Sequence, residues 1–284
     1  MAKKKETQAP RRKILLPKVD VIFKLLFGDE RNKDILIDFL QSILKFDMDE
    51  YEKITITDPH LKRETVKDKL GIVDVKLTSK SGKIIHIEIQ VLEMAEMPER
   101  ATYYNSKMLS AQLKSGTEFD TLKKTISIVI TDFNIVKDSR KYHYTFELID
   151  KETGVKFTDL VEIHTLELKK IPVESDNTAQ YDWMKFLKSE SEEEFDMIAN
   201  KRPAIKQAVV ELKRLSQTER AQMLYEDREK AIHDEVTRIK SARKKGIEEA
   251  KIEMAIKAIN EGLSLDLILK LTGLDVDTIK NLQK

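Results

Sequence analysis

Residues 84–91 read Ile-Ile-His-Ile-Glu-Ile-Gln-Val, and this stretch decides the fold. Side chains alternate between the two faces of a β-strand, so the aliphatic residues point one way and His86, Glu88 and Gln90 point the other. The preceding segment, residues 71–77, sorts in the same manner into an aliphatic row and a polar row. The two segments therefore predict neighbouring strands, each with one aliphatic face and one polar face.

The loop between these strands determines whether the polar rows meet, because residues directly opposite each other in a hairpin share a face. A two-residue loop would place Asp74 opposite an isoleucine. A three-residue loop at residues 80–82 pairs Lys76 with His86 and Asp74 with Glu88, and its last position requires the left-handed backbone that glycine tolerates. The hairpin is therefore predicted to bring two carboxylates together.

The like charges of Asp74 and Glu88 need compensation, since the Cβ atoms of directly opposed residues lie roughly 5 Å apart. One acid could take up a proton, or a divalent cation such as Mg²⁺ or Mn²⁺ could bind, because these ions prefer hard oxygen ligands and retain several waters. The alternative is a pair of solvent-exposed acids on an ordinary half-wet sheet. The aliphatic flanks of both strands favour a metal site.

Two features of the sequence resemble a known group of nucleases. Asp74, followed after a gap of thirteen residues by Glu88-x-Gln90, is similar to the Asp…(Asp/Glu)-x-Lys core of the PD-(D/E)XK nuclease superfamily. The flanking sequence, chiefly from Pro17 to Asp132, resembles the Rpn family of recombination-promoting nucleases and transposases. The segments that carry this second resemblance are Val19–Gly28, the helix from Arg100 to Gly116 and the strand Ile126-Ser127-Ile128.

The resemblance implies a fold and an activity. The fold would be α/β, with a restriction-endonuclease-like mixed β-sheet core flanked by helices and an all-helical C-terminal extension. The activity would be Mg²⁺-dependent hydrolysis of DNA phosphodiester bonds by an endonuclease associated with recombination or mobile elements. The family implies Asp74, Glu88 and the Ile89 carbonyl as metal ligands. Gln90 takes the place of the usual catalytic lysine, and it can orient water only through hydrogen bonds.

Three further residues are candidates for supporting roles. Lys76 is predicted on the same face as Asp74, where it could supply the positive charge that Gln90 lacks or could be an ordinary solvated lysine. Asp20 and Lys24 lie one helical turn apart and could provide an acid and a phosphate contact. An i,i+4 surface pair explains Asp20 and Lys24 equally well.

The helix that follows the metal strand supplies candidate DNA-binding residues. Arg100 could clamp a phosphate, and Tyr103 or Tyr104 could stack or donate a hydrogen bond. The alternative for the tyrosine pair is that one packs in the core while the other is half exposed. Gln112 lies two to three helical turns further on and could face the same groove. His86 is expected to make a polar contact rather than bind the metal.

Composition restricts the other functions. The chain has 284 residues, 36% of them charged, and a net charge of +1, so DNA binding would depend on local basic patches rather than on a global field. It contains no cysteine, which excludes a disulfide scaffold, a zinc ribbon and a cysteine nucleophile and suits a reducing cytoplasm. No apolar run approaches the length needed to cross a membrane. The second functional hypothesis is a regulatory DNA-binding protein that keeps the fold with degraded chemistry.

Four segments are predicted along the chain: a basic flexible arm (1–16), a nuclease-like domain (17–172), a helical extension (173–261) and a small helix-turn-helix-like tail (262–284). The extension is rich in Glu and Lys, and it could form a homodimer or present a solvated helix face. Asp275 and Asp277 begin the second helix of the tail, where they would repel phosphates. The tail is therefore expected to pack or self-associate, with Asp275 as a helix cap.

Overall fold

The computed structural model describes residues 13–57, 60–61, 71–72, 74–116 and 118–282, and these residues form two compact units, Met1–Arg228 and Glu229–Lys284. The described strands are β1 (Thr55–Thr57), β2 (His60–Leu61), β3 (Gly71–Ile72), β4 (Val75–Thr78), β5 (Ile84–Gln90), β6 (Thr125–Thr131), β7 (His143–Glu147) and β8 (Val161–Glu167). The described α-helices are α1 (Asp20–Phe27), α2 (Lys33–Ile43), α3 (Met48–Glu52), α4 (Met97–Ser110), α5 (Ala179–Lys188), α6 (Glu192–Ala199), α7 (Pro203–Ser216), α8 (Glu219–Asn260), α9 (Leu265–Thr272) and α10 (Val276–Leu282).

The first unit is built on a mixed sheet. Six of the described strands form it in the order β1-β4-β5-β6-β8-β7, while β2 and β3 pair separately. The three central strands β5, β6 and β8 run parallel, and the remaining neighbours are antiparallel. This mixed α/β architecture, with helices against the sheet, confirms the predicted restriction-endonuclease-like fold class.

The alternation predicted for residues 84–91 sorts the two faces of the sheet. Ile85, Ile87 and Ile89 are buried in the large core that also contains α1, α2, α5 and α7. Helix α4 covers the opposite face, where His86 and Glu88 are buried. The aliphatic face therefore drives the packing of the unit, and the polar face carries the charged residues.

The apolar residues of segment 20–45 have helical spacing that is broken at Gly28-Asp29, which predicts two helices or one interrupted helix, and α1 and α2 confirm the break. At the end of α1 a side chain at residue 28 would place its Cβ 2.7 Å from the Lys24 carbonyl oxygen, so this position requires glycine. Both helices bury one apolar stripe, as their helical spacing predicts. Phe27 and Phe39 meet Trp183 of α5 with ring centroids 5.8 and 5.7 Å apart. Such aromatic pairs each add about 0.5–1.5 kcal/mol beyond the area they bury.

The strand predicted over residues 71–77 is wrong in its continuity. It forms two short strands: β3 pairs with β2, and β4 pairs with β5. The chain bends at Asp74, and the Asp74 carboxylate accepts a hydrogen bond from the Ile89 backbone N–H at 2.7 Å. The β-branched pair Thr65-Val66 also predicts a short strand, and it lies outside the described residues.

The end of the predicted N-terminal arm is also corrected. Ile14 and Leu15 are buried in the large core, and the Leu15 N–H donates to the Ser216 hydroxyl at 3.0 Å. These apolar residues are anchored by packing, so residues 13–16 are not part of a flexible arm. Residues 1–12 of that arm lie outside the described part of the chain.

The helices after residue 172 share the core of the sheet. Trp183, Phe195 and Leu212 belong to the same buried cluster as the strands, and the compact units divide after Arg228. The division of the chain into domains after residues 172 and 261 remains a prediction.

The second unit has a small core of its own. Ala255, Ile268 and Ile279 pack together in it, and Gly273 ends α9 with a left-handed φ of +64°. Asp275 caps α10, since the Thr278 N–H donates to its carboxylate at 2.7 Å. Among the described residues, no helix is long and apolar enough to cross a membrane.

Candidate active site

The hairpin formed by β4 and β5 has the predicted register. Lys76 pairs with His86, and the Ser79 N–H donates to the Lys83 carbonyl at 3.0 Å, which closes a three-residue loop. Gly82 has a left-handed φ of +89° at the last loop position, as predicted. This register directs Asp74 and Glu88 toward the same end of the hairpin.

A carboxylate from α3 fixes this loop. Glu50 accepts hydrogen bonds from the hydroxyls of Ser79 at 2.6 Å and Ser81 at 2.9 Å, and its other oxygen pairs with the Lys83 ammonium at 3.1 Å. These contacts lower the pKa of Glu50 to about 2 against the opposing effect of burial, the Ser79 hydroxyl contributing most. The role of Glu50 in fixing the loop was not predicted, because nothing near Glu50 in the sequence points to a loop 29 residues further on.

Asp74 lies in an environment that disfavours its charge. The pKa of Asp74 is raised to about 7, mainly by burial and with a contribution from the nearby negative charges of Asp20 and Glu88. The hydrogen bond from the Ile89 N–H and the positive charge of Lys24 act in the opposite direction. Asp20 and Lys24 therefore lie within electrostatic reach of Asp74, as a supporting role requires.

Glu88 is buried, with 4% of its surface exposed, and only one of its oxygens is satisfied. Its Oε1 atom accepts from Arg100 Nε at 2.8 Å, while its Oε2 atom has no hydrogen-bond partner among the described residues. Burial raises the pKa of Glu88, and Arg100 opposes that effect. A buried carboxylate oxygen without a partner is costly, so a ligand is expected at this atom.

Asp20 has a partner that the sequence analysis missed. Arg228, in the first turns of α8, holds it through Nε–Oδ1 at 2.8 Å and Nη2–Oδ2 at 2.6 Å. Such a bidentate pair fixes the orientation of the carboxylate. The two residues are 208 positions apart, and a basic residue in a highly charged helix gives no local signal for this contact.

Gln90 and Lys76 flank the acid pair. The Gln90 side-chain amide at the end of β5 donates to the Leu92 carbonyl at 3.2 Å. Lys76 lies across from His86, whose pKa falls to about 3, first through burial and then through the charge of Lys76. His86 makes the expected polar contact, with Nδ1 3.2 Å from the Ser127 hydroxyl.

Helix α4 brings one cation to the site. The Arg100 guanidinium lies 4.9 Å from the centre of the Tyr104 ring, which orients it toward Glu88. Tyr104 is buried and Tyr103 is 45% exposed, so only Tyr103 of this pair presents its ring to solvent.

Gln112 does not lie near Asp74 and Glu88, contrary to the prediction that it could face the same groove as Arg100. Helix α4 ends at Ser110, and the Gln112 amide binds the backbone of Lys123 and the hydroxyl of Thr125. Thr125 starts β6 beside Ile84, at the opposite end of β5 from Glu88. Four strand residues span roughly 13 Å, which places Gln112 away from the acid pair.

The donor set around Asp74 and Glu88 fits a hard divalent cation. Carboxylate oxygens are the ligands that such ions prefer, and Glu88 Oε2, which has no hydrogen-bond partner among the described residues, is available as one. Across the described residues, no group of three or more His, Cys, Asp and Glu side chains is placed to hold a metal ion. Water and substrate would therefore complete the coordination, as is usual for Mg²⁺.

The fold and the site define a class of protein: a mixed α/β domain with a hairpin that carries two acids beside its central strand. The family whose sequence profile matches residues 17–242 is described as PD-(D/E)XK nuclease family transposase, and the chain belongs to this family. This match confirms the predicted resemblance. Neither a curated protein nor a solved structure matches the chain.

Proposed function

We propose that the protein is a DNA endonuclease that requires Mg²⁺ or Mn²⁺ and acts in recombination or on mobile elements. The observation that carries the proposal is the buried acid pair, in which Glu88 Oε2 has no hydrogen-bond partner within the described part of the chain and Asp74 is held by the Ile89 N–H. Membership in a nuclease family supports this function independently.

We assign the residues of the site to metal binding and to the orientation of the ligands. Asp74, Glu88 and the Ile89 carbonyl would hold the cation, which supplies Lewis-acid stabilisation of the charge that develops on the phosphate. The Ile89 N–H orients the Asp74 carboxylate, and Arg100 holds Glu88 in place.

The remaining polar groups would act on substrate and water. Arg100 uses Nε on Glu88, so its other N–H donors can contact a phosphate oxygen. Lys24 would contact a phosphate as well. The Gln90 amide oxygen would accept a hydrogen bond from the attacking water, while its amide nitrogen keeps the contact with the Leu92 carbonyl.

Nicking of supercoiled plasmid DNA in Mg²⁺ tests the proposal. Asp74→Asn and Glu88→Gln keep the shape of the side chains and should each abolish cutting. Glu152→Gln is the matched control, because it removes an acid from an exposed turn. The single tryptophan, Trp183, is buried, so its fluorescence verifies that each variant is folded. Equal traces of cutting in wild type and in both site variants would indicate contamination and refute the proposal.

Metal binding provides a readout without substrate. Calorimetric titration of the EDTA-treated protein with Mn²⁺ should show uptake that either site variant removes. A wild-type protein that takes up no Mn²⁺ in the absence or presence of a DNA duplex would contradict the assigned ligands.

A second function is favoured by two contacts within the site. Arg100 occupies Glu88 Oε1, and the Gln90 amide donates to Leu92, which suits a DNA-binding protein of weak or absent catalytic activity. In that case the wild-type protein would bind a duplex in fluorescence anisotropy and leave plasmid DNA uncut.

We also propose that the second unit mediates self-association. Leu267 and Leu271 lie one turn apart on α9 and are 41% and 54% exposed, and Leu263 and Val276 of the same unit are exposed apolar residues as well. Leu267→Glu with Leu271→Glu should lower the mass measured by light scattering without disturbing the core of the unit. Deletion of residues 262–284 should have the same effect, and an unchanged mass in both variants would refute this role.

A further inference from the structure

A pocket of about 390 Å³ opens beside the candidate active site. It lies at the carboxyl ends of the parallel strands: the Asp132 N–H, one residue after β6, donates to the Gln90 carbonyl at 3.0 Å. Lys18, on the same wall, precedes Asp20 by two residues. In open α/β sheets, ligands bind outside the carboxyl ends of the strands, so this pocket occupies the expected position for part of a substrate.

The acids of the pocket already have partners. Asp132 and Glu190 both bind the Lys18 ammonium, at 3.0 and 2.6 Å. Glu194 closes the capping box of α6, where its carboxylate accepts from the backbone N–H groups of Glu190 and Ser191. These contacts fix the orientation of the three carboxylates, which direct their hydrogen bonds to Lys18 and to the backbone.

Three lysines on the pocket wall have no such partner. Lys169, Lys185 and Lys188 line the pocket, and none forms an ion pair with any described residue. Lys185 and Lys188 lie in the last turn of α5, where the helix dipole favours cations. The dipole does not account for Lys169, which comes from the 3₁₀ turn that follows β8.

The clustering of these charges indicates an anionic ligand. The pocket lining holds four lysines and three carboxylates, and the contacts of the carboxylates are made with Lys18 and with backbone N–H groups. The ammonium groups of Lys169, Lys185 and Lys188 are therefore the ones available to bind an anion that enters the cavity. A phosphate brings the charge and the acceptor oxygens that lysines bind.

We propose that the lysine pocket, defined by Lys169, Lys185 and Lys188, binds a phosphate of the DNA backbone next to the one that is cleaved. The inference rests on the proposed function and adds the path of the DNA strand: from the acid pair, past Gln90 and Asp132, to the end of α5. Binding here aligns the strand and does not depend on the metal.

The test is the salt dependence of DNA binding by the full chain. A fluorescein-labelled duplex is titrated with protein in EDTA, which prevents cutting, at several salt concentrations between 50 and 200 mM. The test variant combines Lys169→Gln, Lys185→Gln and Lys188→Gln, since glutamine keeps most of each side chain. The matched control combines Lys53→Gln, Lys151→Gln and Lys206→Gln, three exposed lysines outside the lysine pocket.

Each phosphate that a protein neutralises contributes about 0.9 to the slope of log K against log salt, so loss of the one phosphate held by the lysine pocket should reduce that slope by about 0.9. The affinity ratio of wild type to test variant should then shrink about 3.5-fold between 50 and 200 mM. Replacement of the three lysines by arginine should preserve the wild-type slope, and the control should change neither quantity. The inference is overturned if test variant and control bind with equal slopes.

The outcome is separable from that of the proposed function. If wild-type protein leaves plasmid uncut but the test variant shows a smaller salt slope than wild type, the nuclease proposal is refuted and the phosphate site is supported. If wild-type protein cuts in a metal-dependent way and the test variant has the wild-type salt slope, the nuclease proposal is supported and the phosphate site is refuted.

Discussion

Replacement of Glu50 by glutamine should destabilise the first unit through the hairpin loop. The native pKa of Glu50 is lowered from 4.5 to about 2, chiefly by the Ser79 hydroxyl and with help from Ser81 and Lys83. One pKa unit corresponds to about 1.4 kcal/mol, so the shift sets an upper limit of about 3 kcal/mol. Screening by solvent and the acceptor that glutamine retains reduce the expected loss at pH 7 to about 2 kcal/mol.

The sign of the pH dependence follows from the lowered pKa. A carboxylate with a lower pKa in the folded state stabilises that state above its unfolded pKa of 4.5, and the contribution is lost as the pH falls through about 2. Roughly a quarter of it remains at pH 2.5. Wild type and Glu50→Gln should therefore differ most at pH 5 and above and converge in acid.

Trp183 makes the measurement specific to the first unit. It is the single tryptophan and lies in the large core, so its fluorescence reports unfolding of that unit. Urea titrations at pH 7, 5, 3.5 and 2.5 give the free energy of unfolding for each variant. A thermal melt at pH 7 should show a decrease of about 4–8 °C for Glu50→Gln.

Glu52 provides the control for this prediction. It lies on the same helix, with its carboxylate 3.8 Å from the Lys80 ammonium, and Glu52→Gln should change stability by less than about 0.5 kcal/mol. A Glu50→Gln variant as stable as wild type at pH 7 would refute the reasoning. A difference that persists unchanged to pH 2.5 would show that lost packing, not lost charge, causes the effect.

Three other substitutions test the hairpin and the site. Gly82→Ala should lower the free energy of unfolding by about 1 kcal/mol or more in a urea titration, because φ is +89° and the new Cβ would lie 3.3 Å from the Lys123 side chain; an unchanged value contradicts the left-handed turn. Arg228→Gln should destabilise the first unit by about 1 kcal/mol. It should also lower the Mg²⁺ concentration needed for half-maximal cutting, because the negative charge of Asp20 is then less compensated. A variant that needs more Mg²⁺ than wild type would contradict this role of the Asp20–Arg228 pair. Gln90→Lys should speed plasmid cutting on the order of 10-fold, and a slower variant would show that glutamine does not stand in for the lysine.

The features that the sequence predicted correctly are those encoded locally. The alternation of residues 84–91 gave the two faces of β5, and loop length together with Gly82 gave the hairpin register. The break at Gly28 followed from helix punctuation alone. In each case the deciding residues lie within a few positions of the structure they determine.

The features that it missed depend on contacts between distant segments. At Asp74 the chain bends and the carboxylate contacts the Ile89 N–H, 15 residues away, whereas the local pattern predicts a continuous strand. The Glu50 contacts and the Arg228 pair with Asp20 leave no periodic signal in the sequence. The prediction for Gln112 failed because helical spacing was extended past the point where α4 ends.

The charge balance of the acid pair differs from the simplest expectation. Two negative charges at Asp74 and Glu88 were expected to need a positive partner, and in the structure Arg100 contacts one oxygen of Glu88 while the pKa of Asp74 is raised. Both effects lower the repulsion between the two carboxylates, but neither gives Glu88 Oε2 a hydrogen-bond partner among the described residues. A metal site and the Arg100 pair are therefore compatible, because they use different oxygens of the same carboxylate. The variant Arg100→Gln tests this compatibility, since it removes the arginine charge and leaves the carboxylates of Asp74 and Glu88 in place.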